Sequence, residues 1–139
     1  MKIQAKHPNF VMPIISTVGS AGYDLVMPEG GSIKPHETKK VGLGFAAEIP
    51  LGYAALLLPR SSAAKAGVAL ANTVGLIDSD YRGEWVAAIR LEKDLEFRWD
   101  AGDRLFQFIL VPIITPELVQ VDSLLLTQRG EGGFGSTGK

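Results

Sequence analysis

The residues best suited to chemistry lie between Asn72 and Trp85, in the stretch NTVGLIDSDYRGEW. Asp78 is the first charged residue after the apolar pair Leu76 and Ile77. A carboxylate at the rim of an apolar wall is poorly solvated, and its basicity can therefore be tuned. This pattern makes Asp78 a candidate general base.

The distance between Asn72 and Asp78 depends on where the chain between them turns. A straight strand would hold the two side chains ~20 Å apart. A turn at Val74 and Gly75, where glycine tolerates a positive φ, would place them opposite each other across a narrow hairpin. On spacing alone, the sequence favours the simplest interpretation, which is a hairpin with a polar turn.

A second polar group, PRSS at residues 59–62, lies where a predicted strand meets the single predicted helix, residues 61–66. Serine is expected at the N-cap, and Gly67 ends the helix. An arginine and two hydroxyls at a helix N-terminus form a natural anion site, because free N–H groups and the guanidinium act together. An ordinary capped helix with a surface arginine explains the same four residues.

Two further segments carry polar groups in unusual surroundings. Gln107 lies between apolar neighbours in a predicted strand, where a polar side chain needs a hydrogen-bonding partner. Asp103 and Arg104, just before it, are expected to form a turn and a structural ion pair. Residues 129–139, RGEGGFGSTGK, contain five glycines, and this composition predicts a flexible tail.

Strand signals dominate the rest of the chain. Short β-branched and apolar runs are separated by Gly, Pro and Asp, which is typical of a sandwich or barrel. The predicted strands are residues 1–6, 38–42, 44–49, 53–58, 84–92, 95–99, 104–111 and 118–121. We therefore expect an all-β, jelly-roll-like domain over residues 1–128, with one short helix, and a C-terminal segment 129–139 that belongs to it.

The composition limits the class of protein. The 139 residues are 46% hydrophobic and carry a net charge of −1, which fits a single globular domain without the charge excess that nucleic-acid binding needs. The absence of cysteine excludes disulfides, thiol nucleophiles and thiolate metal sites. Prolines interrupt the N-terminal segment and the longest apolar run, so we expect no signal peptide, no membrane partner and a soluble cytoplasmic protein.

The sequence resembles the trimeric dUTP pyrophosphatases (dUTPases), because five motifs of that family occur in order over nearly the whole chain. They are AGYDL (21–25), PRSS (59–62), ANTVGLIDSDYRG (71–83), GDRLFQ (102–107) and RGEGGFGSTG (129–138). Each motif alone is weak or moderate evidence, but the set is strong. The resemblance implies a homotrimer that hydrolyses dUTP to dUMP and pyrophosphate, with Mg²⁺ carried by the substrate.

The resemblance also assigns roles to individual residues. Asp78 would activate the water that attacks the α-phosphorus, Gln107 would contact that water or the α-phosphate, and Asp24 would reach the Mg²⁺ through water. The phosphate-binding residues would be Arg60, Ser61 and Ser62. The base and sugar would contact Asn72, Leu76, Ile77 and Tyr81, and the tail would close as a lid through Arg129, Phe134, Gly135 and Ser136.

In this family each active site draws on three subunits. The first, second and fourth motifs come from one chain, the third from another and the tail from the last. Such an enzyme keeps uracil out of DNA and supplies dUMP for dTMP synthesis.

Two alternatives stay open at this stage. The homologous dCTP deaminases, including the bifunctional ones, need a glutamate on the strand after the middle motif. Ala88 stands at that position here, and Glu92 lies four residues further on. A nucleotide-binding regulator without catalysis is the other alternative, although no motif is missing.

Overall fold

The computed structural model describes residues 1–133, which form short strands and one helix. The strands are β1 (Lys2–Ala5), β2 (Tyr23–Leu25), β3 (Gly31–Ile33), β4 (Thr38–Gly42), β5 (Phe45–Glu48), β6 (Tyr53–Pro59), β7 (Val68–Leu70), β8 (Gly75–Ile77), β9 (Val86–Leu91), β10 (Phe97–Trp99) and β11 (Phe106–Pro112). The helix is α1 (Ser61–Ala66). In the described part of the chain, no helix is long and apolar enough to cross a membrane.

The strands form two larger antiparallel sheets and two strand pairs. The four-stranded sheet has the order β2, β11, β6, β8, and the three-stranded sheet has the order β4, β9, β7. Strand β1 pairs with β5, and β10 pairs with β3. This arrangement confirms the predicted all-β, jelly-roll-like architecture with one short helix.

Aromatic side chains form the centre of the core. The ring of Trp85 is fully buried, and its centroid lies 4.9 Å from that of Phe45 and 5.1 Å from that of Phe108. Trp85 is the last residue of the loop between β8 and β9. Because such a large apolar side chain is costly to expose, its burial fixes the end of that loop against the core.

The predicted strand at residues 118–121 is wrong, because strand pairing ends at Pro112 in the described chain. Residues 112–131 are exposed, and beyond Ile113, which donates its backbone N–H to Gly52, no strand of residues 1–133 pairs with this segment. Conversely, β2, β3, β7 and β8 were not predicted. Each has only three residues, which is too short to show an alternating pattern.

Helix α1 has the predicted bounds, but its predicted serine N-cap is wrong. The N-cap is Arg60, whose backbone continues the extended conformation of β6 and whose side chain makes no capping hydrogen bond. Ser61 is therefore the first helical residue. At the other end Gly67 adopts a left-handed φ of 86° and donates its backbone N–H to Ala63 and Ala64, as a glycine C-cap does.

The chain between Asn72 and Asp78 does turn, but earlier than Gly75. Thr73 adopts a φ of 66° and donates its backbone N–H to the carbonyl of Leu70. The flanking strands do not form a hairpin, because β7 pairs with β9 and β8 pairs with β6. Gly75 serves a different purpose: a Cβ there would lie 2.9 Å from Leu57, so glycine permits β8 to pack against β6.

Candidate active site

Three neighbouring strands bring one group of polar residues together. Strand β11 pairs with β2 and with β6, so Gln107 lies opposite both Asp24 and Leu58, and Arg60 follows directly after β6. We call the resulting cavity of about 270 Å³ the polar cavity. Its lining consists of Ser16, Ser20, Ala21, Gly22, Asp24, Arg60, Ser61 and Gln107.

Asp24 lies at the centre of a charged network beside this cavity. Asp24 as a residue is only 5% exposed. Atom Oδ1 forms an ion pair with Arg60 Nε at 2.9 Å, and Oδ2 accepts hydrogen bonds from Ser16 Oγ at 2.9 Å and from Arg104 Nη1 at 3.2 Å. A buried carboxylate needs such partners. Two guanidinium groups around one carboxylate leave a net positive charge, which suits an anionic ligand.

Arg60 is fixed at two points and retains free donors. Its Nε forms an ion pair with Asp24, and its Nη1 donates to the backbone carbonyl of Arg104 at 3.1 Å. A guanidinium has five N–H donors, so these two contacts leave about three available. A partly buried guanidinium held in one orientation is well suited to bind phosphate oxygens.

The amide of Gln107 faces the same cavity. Its Nε2 lies 3.5 Å from the carbonyl of Pro59, at the long limit of a hydrogen bond. Its Oε1 lies next to Gly22, where a Cβ would approach it to 2.8 Å. Glycine at position 22 therefore makes room for the amide, which keeps hydrogen-bonding capacity for a water molecule or a ligand.

A second cavity of about 190 Å³, the Asp78 cavity, lies at the end of β8. Leu76, Ile77, Asp78, Tyr81 and Val86 line it. The sequence predicted a poorly solvated carboxylate here, but Asp78 is exposed in the single chain. Leu76 is itself 62% exposed, so the described residues leave most of this apolar side chain uncovered.

The loop after Asp78 holds the ring of Tyr81 in a defined position. The Tyr81 hydroxyl donates to the backbone carbonyl of Glu84 at 3.0 Å. The ring packs so closely over Gly83 that a Cβ at that position would collide with it. The Glu84 carboxylate in turn accepts the backbone N–H of Gly44 at 2.9 Å, which ties the loop to the start of β5.

The structure brings the predicted site residues together in two groups. Asp24, Arg60, Ser61 and Gln107 line the polar cavity, whereas Leu76, Ile77, Asp78 and Tyr81 line the Asp78 cavity. Ser62, Asn72 and Arg129 line neither cavity, and Arg129 donates instead to the carbonyl of Gly132 at 2.8 Å. The predicted tail residues Phe134, Gly135 and Ser136 lie outside the described residues.

Sequence reasoning missed several contributors to the polar cavity. The small residues Ser20, Ala21 and Gly22 stand just before Tyr23 and Asp24, and their small size was the available signal of a close approach. Ser16 gave no signal. The predicted ion pair of Arg104 exists, but its partner is Asp24, while the carboxylate of Asp103 accepts the backbone N–H of Asp100.

The donor set fits a hydrated divalent ion carried by a ligand. Within residues 1–133, no group of three or more His, Cys, Asp or Glu side chains is placed to hold a metal ion. The Asp24 carboxylate already has three polar partners, two hydrogen-bond donors and the ion-paired Arg60, of roughly four that its oxygens can take. One free position suffices for the water of a hydrated ion but not for direct chelation.

Comparison with known proteins assigns the family. A profile described as dUTPase matches residues 8–138. The chain belongs to the dUTPase family. Membership in the dUTPase family indicates a divalent metal cofactor in general.

Curated relatives in the dUTPase family match over their full length. The deoxyuridine 5'-triphosphate nucleotidohydrolase of Nautilia profundicola is 40% identical over 140 residues, which cover 100% of this chain and 99% of the relative. The protein of the same name from Acinetobacter baumannii is 42% identical over 149 residues, with the same shares covered. These relatives are hydrolases by name.

A solved structure in the dUTPase family matches the fold. The dUTPase of Staphylococcus bacteriophage 80alpha, determined with dUpNHpp, gives a TM-score of 0.91 at 28% sequence identity. The match covers 99% of this chain and 98% of the phage protein. The jelly-roll-like architecture is therefore that of dUTPases.

Proposed function

We propose that this protein hydrolyses dUTP to dUMP and pyrophosphate through attack of water on the α-phosphorus. The observation that carries the proposal is the fixed Arg60 guanidinium, which lies with Gln107 in one net-positive cavity. A triphosphate bound there would find donors for its oxygens, and the carboxylate of Asp78 would accept the proton of the water. Positioning and charge neutralisation supply most of the rate in such a reaction.

The metal in this proposal is Mg²⁺, and it arrives on the triphosphate. Bound Mg²⁺ neutralises phosphate charge, and Asp24 would contact one of its waters through the remaining acceptor position. Asp24 otherwise serves to hold Arg60. A cytoplasmic location follows from this substrate, which belongs to the intracellular nucleotide pool.

The proposed enzyme is a homotrimer with active sites shared between subunits. The polar cavity and the Asp78 cavity have separate linings in one chain, so a shared site supplies what each of them lacks. The segment after β11 also exposes many large apolar side chains, which monomeric proteins rarely do. They are Ile113, Ile114, Leu118, Val119, Val121, Leu124, Leu125 and Leu126.

Residues 129–139 are proposed to act as the lid of the site. Arg129, Phe134, Gly135 and Ser136 would meet the γ-phosphate and the uracil ring. Closure would exclude water and order the triphosphate.

The reaction is tested by following the oxygen of the solvent. In ¹⁸O-labelled water with Mg²⁺ and dUTP, we expect label in dUMP and none in pyrophosphate, because the attack is at the α-phosphorus. Mass spectrometry of both products measures the distribution. Formation of dUDP and phosphate, or label in pyrophosphate, would overturn the proposed mechanism.

Tyr81→Ala is expected to reduce the preference for dUTP over UTP by about tenfold or more. In the proposed complex, the ring of Tyr81 would leave no room for a ribose 2′-hydroxyl, and its removal would open that space. The measurement is the ratio of kcat/KM for the two nucleotides. Tyr81→Phe is the matched control, because it loses only the hydrogen bond to Glu84 and should keep most of the preference. An unchanged ratio in Tyr81→Ala would place sugar selection elsewhere.

One observation argues against the deaminase alternative. The backbone carbonyl of Ala88 accepts the N–H of Ala71 at 2.7 Å, so Ala88 adjoins the turn that carries Asn72. A methyl side chain there cannot transfer protons. Glu92, further along the chain, is exposed and paired with Arg90. Release of ammonia from dCTP would favour the deaminase.

A further inference from the structure

We infer that Arg104 is a positioning residue, which sets the orientation of Arg60 through Asp24 and so determines affinity for the polyphosphate chain. The inference rests on the proposed function, because it concerns how the polar cavity binds the triphosphate. Arg104 itself does not line that cavity.

The geometry connects the three residues in a closed ring. Arg104 Nη1 donates to Asp24 Oδ2 at 3.2 Å, and Arg60 Nε forms an ion pair with Asp24 Oδ1 at 2.9 Å. Arg60 Nη1 then donates to the backbone carbonyl of Arg104 at 3.1 Å. Arg104 thus holds Arg60 twice, once through its side chain and Asp24 and once through its main chain.

The burial of the three side chains shows which of them depends most on the other two. The side chain of Asp24 is 7% exposed, that of Arg60 is 29% exposed and that of Arg104 is 42% exposed. The carboxylate is the buried member and therefore depends most on its partners. Without Arg104, Asp24 would keep only Arg60 and Ser16, and the cavity would lose its net positive charge.

The pairing of β2, β11 and β6 explains why Arg60 and Arg104 lie close to Asp24. Phe106 lies opposite both Leu25 and Pro59, so the start of β11 is fixed between β2 and β6. Arg104 precedes that point, and Asp24 and Arg60 flank it. Arg60, directly after β6, and Arg104, just before β11, therefore both reach Asp24, which connects their guanidinium groups.

The test uses Arg104→Gln in the full-length protein and the binding of dUpNHpp with Mg²⁺. We expect the Kd for dUpNHpp to rise about tenfold, as is typical of losing a hydrogen bond to a charged group. The Kd for deoxyuridine, which has no phosphate, should stay unchanged. Arg104→Lys should restore dUpNHpp binding to within about threefold, because a single N–H makes the contact with Asp24.

Arg98→Gln is the matched control, because it removes the same charge from an exposed arginine that pairs with Glu96. It should leave dUpNHpp binding unchanged. Equal losses in both variants would mean that net charge alone explains the effect, and this would overturn the inference.

A double-mutant cycle with Arg60→Gln separates positioning from direct contact. If Arg104 acts through Arg60, adding Arg104→Gln to Arg60→Gln should weaken dUpNHpp binding by less than about twofold. A further tenfold loss would show an independent contact with phosphate and overturn the inference.

A crystal structure of the unmodified protein with dUpNHpp also distinguishes positioning from direct contact, and it needs no variant. We expect the Arg60–Asp24–Arg104 ring to persist and Arg104 to make no contact with a phosphate oxygen. A direct contact would contradict the positioning role. A different result would refute the proposed function itself, namely that the unmodified protein does not hydrolyse dUTP.

Discussion

Asp78→Asn is expected to lower kcat about a hundredfold or more while leaving dUpNHpp binding nearly unchanged. An amide has the same shape as the carboxylate but cannot accept the proton of the attacking water, and general base catalysis contributes about 10² to 10⁴ in rate. The measurement is steady-state release of pyrophosphate from dUTP. Because Asp78 is exposed, the substitution leaves no buried group without a partner and should not unfold the protein.

Asp80→Asn is the matched control for this experiment. Asp80 lies two residues further along the same loop and is also exposed, but it does not line the Asp78 cavity. It should keep near-native turnover. Turnover of Asp78→Asn close to that of the unmodified protein would remove Asp78 from the role of base.

Residue patterns could predict the longer elements of the fold. Strands β6, β9 and β11 have six or seven residues with apolar runs, and α1 contains helix-forming residues and ends at a glycine. The three-residue strands β2, β3, β7 and β8 could not be predicted this way. They exist because neighbours in the sheet supply their hydrogen bonds, which is a tertiary effect.

Glycine positions show a related limit of sequence reasoning. Gly75 was a reasonable place for a turn, because glycine tolerates a positive φ. The structure instead gives the positive φ to Thr73 and uses Gly75 for close packing against Leu57. The residue type alone does not tell which of the two reasons applies.

The site shows the same division between local and long-range information. The motifs name Asp24, Arg60 and Gln107, but only the pairing of β2, β11 and β6 brings them together. Arg104 lies 80 residues from Asp24 in the sequence. No local pattern connects them, so the ion pair became visible only in the folded chain.

Deletion of residues 130–139 is expected to abolish most activity and leave a folded protein. So glycine-rich a segment offers little apolar surface to a core, whereas the proposed lid residues Phe134 and Ser136 are lost with it. Circular dichroism and sedimentation should match the full-length protein, and release of pyrophosphate should fall. Full activity of the truncated chain would exclude a lid role for the tail.

Mixing two inactive variants tests whether the proposed site is shared between subunits. The truncated chain and the Asp78→Asn chain are refolded together in equal amounts and each is also assayed alone. If Asp78 and the tail reach one site from different chains of a cyclic trimer, about a quarter of the sites will combine an intact Asp78 with an intact tail. Activity should therefore recover to about a quarter of the unmodified level. If mixed trimers are present and activity does not return, each tail closes over the Asp78 of its own chain.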